Sequence, residues 1–266
     1  MRHYKHDLKR NPALTGRRFL PARLGISSNR PPFVDLRHLL PPVFDQGQEG
    51  SCGPNSADGL MCFFNPDIAS QGGFSRQQIY YCVREIENDV NDDGGVETKD
   101  LFEVLTKIGA APENLWPYVP NTFRVAPPQN VLEAASKYKV SSYSQLASEE
   151  DFLDCLAEGF PFILGFECFE SIDGEVLAKT GIMTRPNAQT EKVVGGHDVL
   201  VVGYTTNLLQ SLPFIKSKLD PGLVNNTALL IRNSWGSDWG INGHFWMPID
   251  YASNAQTGGD CWTARL

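Results

Sequence analysis

The segment that most constrains how this chain folds is residues 46–57, where glycines and a proline surround one cysteine, Cys52. Apolar residues follow with helical spacing, so the sequence predicts a helix that begins at this cysteine. Pro54 suits the first helical turn because its missing N–H would lack an acceptor there, and Gly50 and Gly53 allow a tight turn. A thiol at the amino end of a helix lies in a positive potential, so we expect a lowered pKa. Cys52 is therefore a candidate nucleophile.

A cysteine nucleophile needs a base and a group that orients the base. His197 follows two glycines at the head of a buried-strand pattern, whereas His3 and His6 lie in a basic tail, His38 in a Pro-rich stretch and His244 in a Gly-flanked strand pattern. Asn233 ends a second apolar strand and precedes Trp235 and Trp239. Its amide oxygen can accept the imidazole N–H and fix the tautomer, while an indole ring can shield that bond from water.

Several motifs stand in one order along the chain: Val34-Asp35-Leu36-Arg37, Gln46 to Cys52, Gly94-Gly95, Gly196-His197, Asn233-Ser234-Trp235-Gly236 and Trp239-Gly240. Cys52 and His197 are 145 residues apart, and Asn233 follows 36 residues later. In these motifs and spacings, residues 33–266 resemble the papain family of cysteine peptidases. The short N-terminal part and Leu115-Trp116-Pro117-Tyr118 look most like the bacterial branch of that family.

This resemblance implies an α+β, papain-like fold of two lobes. A basic, pro-like segment would occupy residues 1–32. A helical lobe that carries the nucleophile would span residues 33–127, and a β-rich, barrel-like lobe that carries the histidine and the asparagine would span residues 128–266. The active site would then lie in the cleft between the two lobes, where ligands commonly bind.

The resemblance also implies a role for each site residue. Cys52 would be the nucleophile, His197 the base and then the acid, and Asn233 the residue that orients it. Gln46 and the Cys52 N–H would stabilise the oxyanion. The implied substrate-binding residues are Gly94, Gly95, Gly196 and Trp235.

The reaction expected of such a site is hydrolysis of peptide bonds through a thioester, from a resting imidazolium–thiolate pair. The resemblance implies neither a cofactor nor a metal. Two alternatives remain open: a deamidase or acyl transferase that uses the same site, and an inactive peptidase-like binding protein.

Two positions depart from the family pattern. Glu49 stands where the family usually has a cysteine, which removes a disulfide and puts a charge near the cleft. Gly53 stands where an aromatic residue is usual, and we expect it to leave open space beside the thiol.

The loop at residues 89–100 fits two interpretations. Its oxygen-bearing side chains and its glycine match most of a calcium-loop template, although Asp100 stands where glutamate is usual. The favoured interpretation is that Gly95 presents its backbone N–H and C=O to an extended peptide, because a missing side chain lets another backbone approach closely.

The N-terminal segment differs in charge from the rest of the chain. Residues 1–30 hold eight Lys or Arg side chains against one Asp, and the remaining residues hold 15 basic and 30 acidic side chains. The segment can be a solvated tail, a targeting sequence, or the favoured alternative, a short pro-segment docked over the cleft. The apolar residues that could anchor it are Leu14, Phe19, Leu20, Leu24 and Ile26.

Composition limits the partners and the compartment. No apolar run approaches the ~20 residues of a membrane span, and the acidic body argues against nucleic-acid binding. We expect a monomer that acts on a peptide or protein substrate. The absence of a signal-peptide pattern and five further cysteines in apolar contexts favour a reducing, cytoplasmic location. These cysteines are Cys62, Cys82, Cys155, Cys168 and Cys261.

Overall fold

The computed structural model describes residues 4–9, 29–208 and 227–266. Its α-helices are α1 Cys52–Phe64, α2 Pro66–Ala69, α3 Arg76–Ile86, α4 Thr98–Lys107, α5 Gln129–Ala135, α6 Glu149–Ala157, α7 Glu175–Thr180 and α8 Ile249–Ser253. Its strands are β1 Phe33–Asp35, β2 Ser142–Leu146, β3 Phe162–Phe169, β4 Val193–Thr205, β5 Ala228–Arg232, β6 His244–Pro248 and β7 Asp260–Arg265.

Sequence patterns predict helices that begin at Cys52, after a cap at Ser75, at Leu101 and at Ser148, and a helix is present at each place. Helix α1 begins at Cys52. Ser75 and Ser148 cap α3 and α6, and each hydroxyl accepts a hydrogen bond from a backbone N–H three residues later. Helix α4 begins at Thr98 rather than at the predicted Leu101.

The strands form one antiparallel sheet in the order β2-β7-β3-β4-β5-β6, and β1 pairs with the end of β4. Strand patterns at residues 161–169, 197–204, 228–232 and 244–248 predict four strands, which correspond to β3, β4, β5 and β6. The sequence gives no such prediction for β1, β2 and β7. Helices packed on a large antiparallel sheet give the predicted α+β, papain-like fold.

The contact between α1 and β4 positions the nucleophile. Gly59 lies so close to Leu200 that a Cβ on this glycine would come within 2.9 Å of the leucine Cδ2. Near the amino end of α1, the Ser56 hydroxyl donates a hydrogen bond to the Asp198 carbonyl at 3.1 Å. Because His197 precedes Asp198 on β4, this packing brings the start of α1 to the imidazole.

Among the helices of the described ranges, none is long and apolar enough to cross a membrane. The five cysteines other than Cys52 are buried. The five apolar residues at 14–26 that the sequence offers as anchors lie outside the described residues.

Candidate active site

Three side chains predicted from the sequence meet where α1 abuts the sheet. The Cys52 Sγ accepts a weak hydrogen bond from the Asp198 N–H at 3.5 Å. One residue earlier, the His197 Nε2 lies 2.8 Å from the Asn233 Oδ1. An amide oxygen only accepts, so Nε2 carries the proton and Nδ1 keeps its lone pair. No described residue hydrogen-bonds the buried Nδ1, which leaves it available to take the thiol proton.

Trp235 covers the bond between His197 and Asn233. Its ring stacks on the imidazole with a centroid separation of 5.0 Å and an interplanar angle of 28°. Trp239 packs edge-on against Trp235 at 4.9 Å. Trp235 therefore shields this bond from water, as the sequence predicts, and Trp239 packs behind Trp235.

Gln46 has a fixed side-chain orientation. Its Oε1 accepts from the Ser234 hydroxyl at 2.5 Å, and its Nε2 donates to the Glu49 carbonyl at 3.0 Å. Because an amide carries two N–H groups, one hydrogen on Nε2 remains for an oxyanion. The Cys52 N–H lies at the first position of α1, where backbone N–H groups lack an intrahelical acceptor.

The predicted lowered pKa of Cys52 is wrong for this structure. The thiol is only 1% exposed, and burial together with the nearby Asp198 carboxyl raises its pKa well above the ordinary value. Burial and the neighbouring His6 lower the pKa of His197 to about 3. Both groups are therefore neutral near pH 7, and the expected imidazolium–thiolate pair is not the resting state of this closed site. Loss of solvation outweighs the field of the helix terminus.

Residues 4–9 lie against this buried site, and we name them the cleft segment. The Leu8 N–H donates to the Gly196 carbonyl at 3.0 Å, and the Gly196 N–H donates to the His6 carbonyl at 3.0 Å. At one end of the segment, the Tyr4 ring stacks on Trp235 with a centroid separation of 4.6 Å and an interplanar angle of 7°. At the other end, the Lys9 N–H donates to a backbone carbonyl beside α4 at 3.2 Å.

The predicted substrate-binding glycines all contact the cleft segment. A Cβ on Gly95, whose φ is +77°, would lie 1.6 Å from the Asp7 carbonyl oxygen, and a Cβ on Gly94 would lie 3.7 Å from the Lys9 Cε. The hydrogen-bonding edge differs from the expected one. The Gly95 N–H points to the Tyr80 hydroxyl at 3.3 Å, and the carbonyl that receives the Lys9 N–H belongs to Val96.

Charged contacts hold the cleft segment at both lobes. The Lys5 Nζ lies 2.6 Å from the Asp93 carboxylate, and the Lys9 Nζ lies 2.7 Å from Glu87 and 2.5 Å from Asp89. The His6 Nε2 lies 3.2 Å from an Asp173 oxygen. Two acidic residues of the loop at 89–100 therefore bind different lysines. Within the described residues there is no group of three or more His, Cys, Asp or Glu side chains that could hold a metal ion.

The two departures from the family pattern have unexpected surroundings. The space predicted beside Gly53 is filled, because a Cβ there would lie 2.9 Å from the Asp198 Oδ2 and 2.8 Å from the Val96 Cγ2. Glu49 is buried, and its carboxyl accepts from the Gln77 side-chain amide at 3.1 Å. Burial, with a smaller contribution from nearby Asp93, raises the pKa of Glu49 to about 7.

Three residues near the site were not singled out from the sequence. Tyr4 covers Trp235, and the His6 ring lies edge-on to His197 at 5.9 Å. Asp198 is fully buried and donates its backbone N–H to the thiol. Only Asp198 carried a local signal, since a carboxylate inside a buried-strand pattern is unusual.

A thiol at a helix start accepts the N–H of the residue that follows an imidazole, and an amide orients that imidazole on an antiparallel sheet. This arrangement defines a cysteine-dependent hydrolase of the papain-like class. The family model described as Papain family cysteine protease matches residues 30–261, and the chain belongs to that family. The chain is 32% identical over 244 residues to an uncharacterized peptidase C1-like protein, L477, of Acanthamoeba polyphaga mimivirus. That match covers 86% of this chain and 72% of the relative.

The solved structure of xylellain, a cysteine protease from Xylella fastidiosa, is similar over the whole chain. The two chains are 30% identical with a TM-score of 0.81, and the match covers 100% of this chain and 98% of xylellain. The oryzain gamma chain of Oryza sativa subsp. japonica is 28% identical over 214 residues, covering 79% of this chain. This chain spans about half the length of that relative, 52%.

Proposed function

We propose that this protein hydrolyses peptide bonds through a thioester acyl-enzyme. The observation that carries the proposal is the 2.8 Å bond between the His197 Nε2 and Asn233, which leaves Nδ1 for the thiol proton. Cys52 attacks the peptide carbonyl while His197 takes its proton. Gln46 and the Cys52 N–H stabilise the oxyanion, and His197 then protonates the leaving amine. Water hydrolyses the thioester with His197 as the base.

We propose further that residues 1–32 form a regulatory segment, of which residues 4–9 occlude the cleft between a lobe at 33–127 and a lobe at 128–266. Two observations favour this role: the thiol is only 1% exposed, and the His6 ring lies edge-on to the His197 ring at 5.9 Å. Displacement of the segment rehydrates the cleft, and solvation then favours the thiolate again. The protein would act as a monomer on a peptide or protein substrate, and its acidic body disfavours nucleic acid as a partner.

The direction of the cleft segment supports occlusion without cleavage. His197 protonates the leaving amine, so the leaving-group side of the cleft is the side of His197 and Trp235. The segment enters on that side at Tyr4 and runs toward Lys9. A cleavable peptide runs the other way, since its amino-terminal part must form the acyl group. The segment therefore presents its peptide bonds to Cys52 in reversed polarity.

The test incubates the full chain and a Cys52→Ser variant with a peptide mixture, with and without an added primary amine, and identifies the products by mass spectrometry. Hydrolysis predicts new carboxyl termini in wild type alone, even when the amine is present. Capture of the amine in place of water would assign an acyl transferase. If wild type gave no product although iodoacetamide modified Cys52, the proposed function would be refuted.

A further inference from the structure

We propose that Glu87 and Asp89 form a subsite that binds a lysine or arginine side chain of the substrate, on the acyl side of the scissile bond. This inference rests on the proposed function and adds a substrate class to it. Within the described residues, both carboxylates contact the ammonium group of Lys9, which serves here as the bound ligand.

The contacts of Lys9 are those of a formed binding site. Its Nζ lies 2.7 Å from the Glu87 Oε2 and 2.5 Å from the Asp89 Oδ2, and the Lys9 side chain is only 31% exposed. The second oxygen of Glu87 accepts the Glu97 N–H at 2.8 Å, which fixes the carboxylate. Burial alone would lower the pKa of Lys9, yet the two acidic partners raise it. The pair therefore stabilises a cation strongly enough to offset its loss of water.

An empty subsite would be unfavourable. The Glu87 side chain is 8% exposed, and burial raises its pKa. When the cleft segment leaves, two neighbouring carboxylates lose their shared cation. Restoring a cation to this place is a source of binding energy for substrate.

The backbone contact shows how a substrate would reach the subsite. Lys9 donates its N–H to the Val96 carbonyl, as a residue of an extended peptide does on a strand edge. Gly94 lies beside the Lys9 side chain, because a Cβ on this glycine would be in van der Waals contact with the Lys9 Cε at 3.7 Å. Because side chains alternate along an extended chain, we expect a peptide that follows the same edge in the opposite direction to direct one of its side chains toward the acidic pair.

The position of Lys9 assigns the subsite to the acyl side. Tyr4 lies on Trp235, on the leaving-group side, and the Asp7 carboxylate would touch a Cβ on Gly50, two residues before the thiol. Lys9 follows beyond Asp7, away from Trp235. Residues that precede the scissile bond of a substrate would occupy this region.

The experiment uses peptides that differ only by lysine, arginine, norleucine or glutamate at each acyl-side position. For each full-length variant it measures the ratio of kcat/KM for the lysine peptide to kcat/KM for the norleucine peptide. Occlusion by the cleft segment affects both peptides equally, so it cancels in this ratio. A Tyr4→Ala background supplies an opened cleft if wild type turns over too slowly.

The variants are chosen to keep the local structure. Glu87→Gln retains the oxygen that accepts the Glu97 N–H, and it is combined with Asp89→Asn. The control is Asp67→Asn, which removes a negative charge from an exposed position on α2. A Gly95→Ala variant is not suitable, because its Cβ would also disturb peptide binding at every position.

At one acyl-side position we expect wild type and Asp67→Asn to prefer lysine and arginine over norleucine by about tenfold or more. The double variant should lose that preference. Equal cleavage of the lysine and norleucine peptides by wild type, or an unchanged preference in the double variant, would overturn the inference and leave the proposed function intact. If neither background cleaved any peptide, the proposed function would fail and the inference with it.

Discussion

Replacing Tyr4 with alanine should open the cleft without altering any residue that performs the chemistry. The Tyr4 ring stacks on Trp235 at 4.6 Å, and its hydroxyl donates to the Trp235 carbonyl at 3.1 Å. The ring is partly buried, so its loss costs less than a fully buried aromatic residue would. An aromatic pair and one hydrogen bond together contribute about 2 kcal/mol, which corresponds to a rise of roughly 30-fold in the open population.

The assay is the rate at which iodoacetamide alkylates Cys52, read by mass spectrometry. Because the thiol is 1% exposed in the closed state, alkylation proceeds through the open state and its rate follows the open population. We expect Tyr4→Ala to react about 30-fold faster than wild type. Tyr4→Phe keeps the stacked ring and should lie between the two.

The five other cysteines serve as an internal control, because they are buried and should become reactive only on wider unfolding. An unchanged Cys52 rate in Tyr4→Ala would refute the reasoning that the stack on Trp235 holds the segment. An equal acceleration at all six cysteines would also refute it, since that pattern reports general destabilisation.

Three further predictions follow from the site. Gln46→Ala should lower kcat about 100-fold if Gln46 is the proposed oxyanion donor; steady-state kinetics that showed a change in KM alone would contradict that role. Burial raises the pKa of Glu49 to about 7 from 4.5, so its contribution to stability is present below pH 4.5 and lost as the pH rises through 7. Glu49→Gln should remove this loss of about 3 kcal/mol. The test measures the free energy of unfolding in urea for wild type and Glu49→Gln at pH 4 and pH 8, and an equal difference between the two proteins at both pH values would disprove the prediction. The pKa of His197 is lowered from 6.5 to about 3, so the closed state loses stability as the pH falls through this range. NMR titration should place the His197 transition near pH 3 in wild type and at a higher pH in Tyr4→Ala. Equal transition pH values in the two proteins would contradict the role of the segment.

Local signals predicted much of the fold. The glycines and proline around Cys52 predicted the start of α1, Ser75 predicted a capped helix, and the pattern of residues 148–156 predicted another helix. Continuous apolar runs predicted the buried strands β3 to β6. Strand β2, at Ser142–Leu146, was missed because its residues are mostly polar and half-buried, and its pairing with β7 is a contact between distant parts of the chain.

The site was predictable in its residue types and less so in its electrostatics. A thiol, an imidazole and an amide at the expected spacing identified Cys52, His197 and Asn233 as a set that would meet. Their pKa values depend on what covers them, and Tyr4 contacts Trp235 across 231 positions of sequence. No pattern within residues 1–30 singles out residues 4–9 as the part that lies at the site. The charge of the segment predicted docking on an acidic body, and its five apolar anchor candidates lie outside the described residues.

Lys9 and Asn29 are joined by 19 residues of continuous chain. The cleft segment and the cleft are therefore one molecule, with an effective concentration on the order of millimolar that dilution cannot change. Any single cut in those 19 residues makes the same contacts bimolecular, and a short peptide released at cellular protein concentrations dissociates unless its own affinity is high. The occlusion of the cleft would then end irreversibly. A change of pH or a competing ligand would open the cleft only while that condition or ligand is present. Because the cleft segment is covalently tethered, weak contacts by residues 4–9 suffice to keep the cleft closed. A single cut in the tether would then open the cleft permanently.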